Sequence, residues 1–291
     1  MSFKIEILKP EDFLKRTGSE IVRESILYNQ PEFMQAVSGN SAFFACLSGG
    51  VHGIFPFTGQ KWFGKWRIFQ SPFCQRFEPF TEKGNTPEPA AWQAWFEWLK
   101  NKAWSAKWPF FPIQEFLLPE KKSNQYLQLD VGAESLFQRW KPGRRQAINK
   151  GVGLEIKLVP ESDFMAGIHE VGAKISTENW KPSATEIDRL GLVLACPILR
   201  QANRPYLILL EGKPVACVLI VFWQNRHHYL FSLSSPTGKS KEAITSFMRL
   251  YLFENAGQSQ VFDFEGSSIP GVRAFFESFG ASTQWYGVAQ V

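Results

Sequence analysis

The succession of apolar and polar positions occurs twice along the chain. The first copy begins with two apolar runs joined by Ser48-Gly49-Gly50, which is the pattern of a β-hairpin, and continues with a third strand-like stretch and an amphipathic helix. Its predicted elements are the hairpin at 42–57, a turn at 58–60, the third strand at 61–69, the helix at 89–103 and a last apolar stretch at 109–118.

The second copy follows the same order in the last third of the chain. Its predicted elements are strands at 206–210, 215–223 and 228–233, a helix with Ile244, Phe247, Met248, Tyr251 and Leu252 on one face, a strand at 261–264, and a short helix with Val272, Phe275, Phe276 and Phe279 at helical spacing. Gly257 is expected to end the longer helix in a left-handed conformation. Two further helical patterns, at 161–176 and 184–199, precede this copy.

This repeated order indicates a duplicated α/β unit. The first three strands of each copy are joined by tight turns and should be antiparallel, and the crossing helix should place the fourth strand parallel to the third. We therefore predict an α/β (mixed α+β) fold of two domains, 1–130 and 131–291, each with a mixed central sheet flanked by helices. The second domain includes a basic linker helix that Pro142-Gly143 should break into two pieces.

Composition narrows the class of protein. The 291 residues are 44% hydrophobic and 20% charged, which is too apolar for a disordered tail and too polar for a membrane protein. The first ten residues hold no uninterrupted apolar stretch, so neither a secretory signal nor a membrane-spanning segment is expected. The net charge of +5 permits a phosphorylated ligand but is equally consistent with a mildly basic surface.

The cysteines and histidines show no metal-binding pattern. Cys46, Cys74, Cys196 and Cys217 lie far apart, without a CxxC spacing, and are expected to be reduced thiols of a cytoplasmic protein. The four histidines form neither HExxH nor a cluster with cysteine, so no metal is expected. His227 and His228 are consecutive on a strand and point to opposite faces, so at most one can enter a cleft.

The chain is rich in aromatic residues, which either fill a hydrophobic core or line a groove in which a ligand stacks on their rings. Trp92, Trp95, Phe96 and Leu99 lie at i, i+3, i+4 and i+7, which predicts a core-facing helical stripe. For Trp62, Trp66 and Trp108 the pattern leaves both roles open.

Two segments could carry chemistry. In Asp263-Phe264-Glu265-Gly266-Ser267-Ser268-Ile269-Pro270, a strand delivers two acidic residues to its carboxyl end, and Pro270 begins a helix whose N-terminus favours an anion. The same residues could instead cap the helix and hold a turn. The segment 139–150 holds five cations, Arg139, Lys141, Arg144, Arg145 and Lys150, which could clamp a phosphate or form a solvated helix face.

These segments together resemble the FemABX-like proteins of the GNAT acyltransferase superfamily. The resemblance lies in Arg-x-x-Ile-x-Lys-x-x-Gly at 145–153 and in Asp-Phe-Glu-Gly-Ser at 263–267, followed by Ile-Pro-Gly and a Phe-Gly-Ala ending at 279–281. It is strongest over 134–281 and only architectural in the first 125 residues. It implies two tandem GNAT-like domains, in agreement with the duplication.

The resemblance also implies transfer of an acyl or aminoacyl group to an amine. The donor would be aminoacyl-tRNA or acyl-CoA as a co-substrate, without a tightly bound cofactor, and the acceptor a phosphorylated cell-wall precursor, namely a peptidoglycan precursor. CoA-dependent GNAT domains carry a glycine-rich loop between the third strand and the helix, whereas the loop 236–241 has only Gly238. No sustained heptad pattern of a tRNA-binding coiled-coil arm is present either.

The expected site residues follow from these motifs. Asp263 and Glu265 are expected to be the catalytic acid/base or amine-binding groups. The expected substrate or phosphate contacts are Arg144, Arg145, Lys150, Lys239, Lys241 and Ser267. The alternative from another class is a non-catalytic GNAT-fold protein that binds a glycan, peptide or nucleotide through an aromatic groove. Sequence-independent nucleic-acid binding is a third option, which the modest net charge does not favour.

Overall fold

The computed structural model describes residues 3–18, 20–117, 119–176, 181–266 and 269–291. The strands are β1 (Lys4–Leu8), β2 (Ala42–Ser48), β3 (Gly53–Trp62), β4 (Lys65–Ile68), β5 (Ala103–Phe110), β6 (Glu120–Gln128), β7 (Leu154–Leu158), β8 (Asn203–Leu210), β9 (Lys213–Trp223), β10 (Arg226–Ser234), β11 (Val261–Asp263) and β12 (Ser282–Gln290). The α-helices are α1 (Pro10–Thr17), α2 (Glu20–Arg23), α3 (Pro31–Ser38), α4 (Pro89–Lys102), α5 (Ala133–Gln138), α6 (Pro142–Ala147), α7 (Glu161–Ala173), α8 (Ala184–Leu194), α9 (Pro236–Ser240), α10 (Ala243–Glu254) and α11 (Pro270–Glu277). Short 3-10 turns lie at Leu27–Asn29, Gly39–Ser41, Glu115–Leu117, Ile148–Gly151 and Pro197–Leu199.

The chain forms two compact units. Unit 1 comprises 1–122, 195–198 and 285–291, and unit 2 comprises 123–194 and 199–284. The last strand contributes its final residues to unit 1. No helix among the described residues is both long enough and apolar enough to cross a bilayer.

The strand order confirms the duplication. In unit 1 the order is β1-β2-β3-β4-β5-β12, and in unit 2 it is β7-β8-β9-β10-β11-β6. In both units the first four strands are antiparallel neighbours, and the strand after the crossing helix is parallel to the fourth, as β5 is to β4 and β11 to β10. The fold is therefore mixed α/β, as the sequence predicts.

The sixth strand of each sheet comes from the other half of the sequence. β6 follows β5 along the chain but pairs antiparallel with β11, through Tyr126 to Gln128. β12 follows β11 but pairs antiparallel with β5, through Gly287 to Gln290. The two copies have therefore exchanged equivalent strands.

The aromatic stripe of α4 forms the core of unit 1, as predicted. Trp92, Trp95 and Leu99 are fully buried, and Trp95 stacks on Phe55 of β3 at a ring distance of 5.5 Å. Trp108 is also buried, and its indole nitrogen donates to the Pro56 carbonyl, 2.9 Å away. Of the three tryptophans whose role the sequence left open, Trp66 and Trp108 belong to the core, whereas Trp62 is exposed.

Two boundaries in the first copy differ from the prediction. The turn expected at 58–60 lies instead at Phe63-Gly64, where φ is +45° and +81°. Gly59 is a paired residue of β3 opposite Ile68, so the strand continues past it. The fourth strand, expected at 109–118, is β5 at Ala103–Phe110, which begins directly at the end of α4.

Candidate functional site

A cavity opens in unit 2 where β10 and β11 stop pairing. The two parallel strands pair only from Arg226 to His228 on β10, and β10 then continues to Ser234. A register irregularity between Tyr229 and Phe231 marks the place where β10 also shifts against β9. Beyond this point β10 borders a cavity of about 380 Å³ rather than a parallel strand.

Five elements of unit 2, namely α6, β10, α9, α10 and α11, line this cavity. The lining residues are Arg144 of α6, Tyr229, Ser232 and Ser234 of β10, Gly238, Lys239, Glu242, Ala243 and Ile244 around the start of α10, and Gly271, Val272, Phe275 and Phe276 of α11. The sequence predicts phosphate contacts in the loop before α10. This loop borders the same cavity as α11. Burial raises the pKa of the Tyr229 phenol, so this hydroxyl stays protonated at neutral pH.

Arg144 is held by a dense set of contacts at one side of the cavity. Its Nη1 donates to Glu242 Oε2 at 2.8 Å and to Thr245 Oγ1 at 2.6 Å, and its Nε donates to Ser278 Oγ at 3.0 Å. The guanidinium also lies 4.4 Å from the ring centre of Phe275. Because Glu242 neutralises this cation, Arg144 fixes α6 against α10 and α11 while it borders the cavity.

The loop between β10 and α10 is closed by its own hydrogen bonds. Ser235 caps the one-turn helix α9, because its Oγ accepts from the Gly238 amide at 3.1 Å. The amides of Lys239, Lys241 and Glu242 donate to carbonyls of Ser235, Thr237 and Lys239. These four amides are therefore engaged and do not form a cradle for a phosphate.

Gly238 allows this loop to lie against β9. A Cβ atom at this position would lie 2.4 Å from the Val215 carbonyl oxygen and 2.6 Å from Ser234 Oγ. The single glycine of the loop thus serves close backbone packing. Cationic side chains remain available, since Lys239 is exposed and Lys241 half-buried, and neither forms an ion pair with another residue in the described part of the chain.

Asp263 is buried at the end of β11 with both carboxylate oxygens engaged. Oδ2 accepts from Arg226 Nη1 at 2.6 Å, and Oδ1 accepts from the Glu265 amide at 2.9 Å. The second bond holds Glu265 at a φ of +63°, which L-residues adopt only when their surroundings impose it. The expected turn-holding function of Asp263 is therefore present in the structure.

Glu265 pairs with His228 at the end of β11. Glu265 Oε1 lies 2.6 Å from His228 Nδ1, and the glutamate side chain is 13% exposed whereas that of Asp263 is 1% exposed. Neither carboxylate lines the cavity described above. Their catalytic roles stay predictions.

His228, Asp263 and Glu265 are also the residues that could offer ligands to a metal. One ligand atom of each lies within 4.8 Å of the others. However, Arg226 occupies Asp263 Oδ2 and His228 hydrogen-bonds Glu265, so the donor atoms satisfy one another. The arrangement fits a hydrogen-bonded cluster better than a cation site.

His227 lies on the opposite face of β10, as the strand alternation predicts. Its Nδ1 lies 2.8 Å from the Tyr251 hydroxyl and its Nε2 lies 2.7 Å from Gln260 Oε1. Burial lowers the pKa of His227, against the opposing effect of the Gln260 hydrogen bond. This histidine is a neutral bridge between α10 and the start of β11.

The other predicted contacts lie apart from the cavity. Arg145 donates to Gln138 Oε1 at 2.7 Å, and Lys150 is exposed on the turn after α6. Ser267 lies outside the residues that the structure describes. Of the five cations in 139–150, only Arg144 borders the cavity, so the basic segment does not converge on one phosphate site.

Sequence reasoning missed Arg226, Glu242 and Tyr229. Arg226 and His228 are two residues apart on a strand and share a face with Asp263. Because side chains alternate between the two faces of a strand, the sequence indicates that Arg226 and His228 lie on the same face. Glu242 has no such signal, because its contact with Arg144 spans 98 positions.

The chain is similar in fold to several solved structures. It matches FemX with a TM-score of 0.62 at 10% identity, over 97% of this chain and 96% of that chain. It matches the C-terminal domain of a putative lysylphosphatidylglycerol synthetase from Agrobacterium fabrum with a TM-score of 0.52 at 13% identity, over 97% and 92%. A tandem GNAT protein from the clavulanic acid biosynthesis pathway matches with a TM-score of 0.51 at 10% identity, over 99% and 98%.

No protein-family model matches the chain, and no curated protein does either. The strand order of both units and these three similarities agree with each other. The chain has a tandem GNAT-like fold, similar to that of FemX and of the tandem GNAT protein.

Proposed function

We infer that the chain is an N-acyltransferase that binds its activated acyl donor in the cavity beside β10. The observation that carries this proposal is the separation of β10 from β11 after His228, which leaves an edge of β10 facing a cavity with cations at its rim. The backbone of such an edge can hydrogen-bond an extended, amide-containing chain. The acyltransferase-type fold supports the same reading.

The phosphates of the donor would be held by side chains in this protein. Lys239 and Lys241 belong to the loop before α10, Lys239 lines the cavity, and the four amides named above are already bonded within the loop. Arg144 would complete the positive rim if a donor phosphate displaced Glu242 from it. A side-chain clamp of this kind suits either acyl-CoA or the terminal phosphates of aminoacyl-tRNA.

The reaction would be a direct attack by the acceptor amine. The amine nitrogen forms a bond to the carbonyl carbon of the thioester or ester, and the bond from that carbon to sulfur or oxygen breaks. Tyr229 can give its phenolic proton to the departing sulfur or oxygen, since it lines the cavity and is protonated at neutral pH. The ammonium proton then returns to Tyr229 through solvent, and alignment of the two substrates supplies most of the rate.

Glu265 is the better of the two predicted carboxylates for acid/base work or amine binding. Its side chain is partly exposed and bonded to an imidazole, whereas Asp263 is enclosed by Arg226 and the Glu265 amide. We assign Asp263 the task of positioning Glu265. Glu265→Gln should therefore change the pH profile of turnover, and Asp263→Asn should do so only through an altered Glu265.

The acceptor class follows from the resemblance to FemABX-like proteins. It would be an amine of a phosphorylated cell-wall precursor, and the reaction would take place in the cytoplasm, where charged tRNA and acyl-CoA are made. The described residues offer no feature that selects one donor over the other.

The first experiment measures donor binding and transfer. Purified protein is mixed with CoA, acetyl-CoA, charged tRNA or a UDP-linked muropeptide, and the melting temperature is recorded, because a ligand of the native state raises it. Transfer to candidate amines is then followed by mass spectrometry. We expect a donor-dependent shift that Lys239→Ala/Lys241→Ala abolishes and that Lys213→Ala, an exposed lysine on β9, leaves unchanged.

The competing function is ligand binding without chemistry. It predicts a melting shift with a ligand and no transferred acyl group with any donor and amine. If no donor shifts the melting temperature and no acyl group is transferred, the proposal is wrong.

A further inference from the structure

The β3–β4 hairpin of unit 1 presents bare aromatic rings at its tip. Phe63 is 85% exposed and Trp62 is 68% exposed, and their rings stack at 5.5 Å. Trp104 of β5 is 53% exposed and lies 6.4 Å from Trp62, ring centre to ring centre. Three large apolar side chains thus form one exposed patch, which we call the aromatic tip (Trp62, Phe63 and Trp104).

The backbone holds this patch in a defined form. Phe63 and Gly64 have φ values of +45° and +81°, so a bulky side chain occupies a turn position where glycine, asparagine or aspartate is usual. Trp104 is the residue skipped where the register between β4 and β5 shifts, with Trp66 opposite Ala103 and Arg67 opposite Ser105. The aromatic tip therefore rests on paired strands and not on a loose loop.

Positive charges surround the aromatic tip. Lys61 and Lys65 flank the turn on either side, Lys65 pairs with Trp62 across the hairpin, and Arg67 pairs with Gln60. All three cations are exposed and form no ion pair with another residue within the described ranges. A groove of about 720 Å³ beside the tip is lined by Trp62, Trp104, Phe43, Lys61 and Arg67 and by polar or small residues, with no acidic side chain among its described lining.

We propose that the aromatic tip and its three cations bind the surface of an anionic lipid bilayer. Tryptophan favours the boundary between headgroups and hydrocarbon, and an exposed phenylalanine gains from entering the hydrocarbon. Lysine and arginine beside such a patch are attracted to anionic headgroups. A patch of bare rings within a ring of unpaired cations is complementary to that surface in both hydrophobicity and charge.

Binding of a soluble ligand in the groove would account for fewer of these features than membrane binding does. Phe63 is the most exposed of the three rings but is not part of the groove lining. Insertion of the turn into a membrane uses Phe63, Trp62 and the cations on both sides of the turn together. This inference concerns unit 1 and does not depend on the acyl donor cavity in unit 2.

The test uses the full chain and vesicles of phosphatidylcholine, either alone or mixed with phosphatidylglycerol. We expect the protein to sediment with the anionic vesicles at low salt, and to be released as the salt concentration rises. It should sediment poorly with pure phosphatidylcholine. Vesicles with brominated acyl chains should quench part of the tryptophan fluorescence, and Trp62→Phe should remove most of that quenching.

Variants separate the two contributions. Trp62→Ser/Phe63→Ser should abolish sedimentation, whereas Leu158→Ser, which removes an exposed apolar residue of unit 2, should leave it unchanged. Lys65→Gln/Arg67→Gln should weaken binding roughly fivefold for each cation removed. The melting temperature of each variant shows that it is folded.

Three results would overturn the inference. They are absence of sedimentation with anionic vesicles at low salt, equal sedimentation with neutral vesicles, and unchanged sedimentation of the Trp62→Ser/Phe63→Ser variant. Failure of acyl transfer in the donor assay would leave these vesicle measurements unaffected, so the two proposals fail independently.

Discussion

Arg226 and Asp263 form an ion pair across the three paired residues of β10 and β11. Arg226 Nη1 lies 2.6 Å from Asp263 Oδ2, and Asp263 pairs in register with His228, two residues further along β10. The contact therefore runs diagonally between the strands at the point where they separate. It stabilises both the end of the sheet and the turn that follows.

Asp263→Ala should lower the free energy of unfolding by about 3 kcal/mol, because it leaves the Arg226 guanidinium and the Glu265 amide without their buried acceptor. Urea denaturation measures the change. Asp130→Ala, at an exposed aspartate after β6, is the control and should change stability by less than about 0.5 kcal/mol. Equal effects of the two substitutions would contradict the structural role of Asp263.

Arg144 and Arg145 are neighbours in sequence with different surroundings. Arg144→Ala should destabilise the protein by about 2 kcal/mol, since it removes hydrogen bonds to Glu242, Thr245 and Ser278. Arg145→Ala removes one surface contact with Gln138 and should change stability by less than about 0.5 kcal/mol. Chemical denaturation of the pair tests this, and a larger loss for Arg145→Ala would show that the assignment is wrong.

Gly238→Ala should destabilise unit 2 by about 2 kcal/mol, because its Cβ would collide with the Val215 carbonyl and Ser234. Gly143→Ala is the matched control, since a Cβ there meets nothing within 4 Å. The control variant should melt at or slightly above the temperature of the parent protein. A melting temperature of Gly238→Ala equal to that of the parent would refute the close packing of this loop.

The stability of the protein should fall in mild acid partly through His227. The pKa of His227 is lowered in the folded state. Above the ordinary histidine pKa of about 6.5, the imidazole is neutral in both the folded and the unfolded state, so its titration does not change the free energy of unfolding. As pH falls below that value, the unfolded chain binds a proton that the folded state resists, and stability is lost.

Unfolding free energies at pH 7.5 and 5.5 test this effect. The decrease between the two should be smaller in His227→Gln than in the parent protein, and the exposed His169→Gln variant should retain the full decrease. An identical decrease in all three proteins would argue against a buried, neutral His227.

Tyr229→Phe should slow acyl transfer and leave donor binding nearly unchanged. The phenol lines the cavity and is protonated at neutral pH, so its loss removes a proton donor and little contact area. We expect a fall in kcat of about a hundredfold with the donor-induced melting shift preserved. An unchanged kcat would show that another group transfers the proton. Tyr251→Phe is the control for the loss of a hydroxyl, because Tyr251 is buried and lies outside this cavity.

Sequence patterns predicted the helices and strands that depend on residues close together in the chain. The stripe of Trp92, Trp95, Phe96 and Leu99 has the helical period and is buried as expected. Gly257 has the predicted left-handed φ of +80°, but α10 already ends at Glu254 with Asn255 as its C-cap, and the Gly257 amide donates to the carbonyls of Leu129 and Val131. The turn at Phe63-Gly64 escaped prediction because phenylalanine rarely takes a left-handed conformation, whereas Thr58-Gly59-Gln60 has an ordinary turn composition.

Long-range features of the fold and of the site had no such signal. The pairing of β6 with β11 and of β12 with β5 joins segments more than a hundred residues apart along the chain. The basic segment 139–150 showed its charge in the sequence but not its orientation, so Arg144, Arg145 and Lys150 could not be separated into buried and exposed members. Asp263 and Glu265 were correctly located at the end of a strand, and their partners Arg226 and His228 could be found only from the pairing.

The exchanged strands determine how this polypeptide can be dissected. A fragment of residues 1–122 would lack Gly287 to Gln290 and would leave the edge of β5 open, and such an edge recruits other chains. Recombinant expression of either half should therefore give aggregated material, whereas co-expression of both pieces could restore the missing pairings. Protein engineers who wish to recombine halves of this chain would need to cut and rejoin it so that each half carries its own sixth strand.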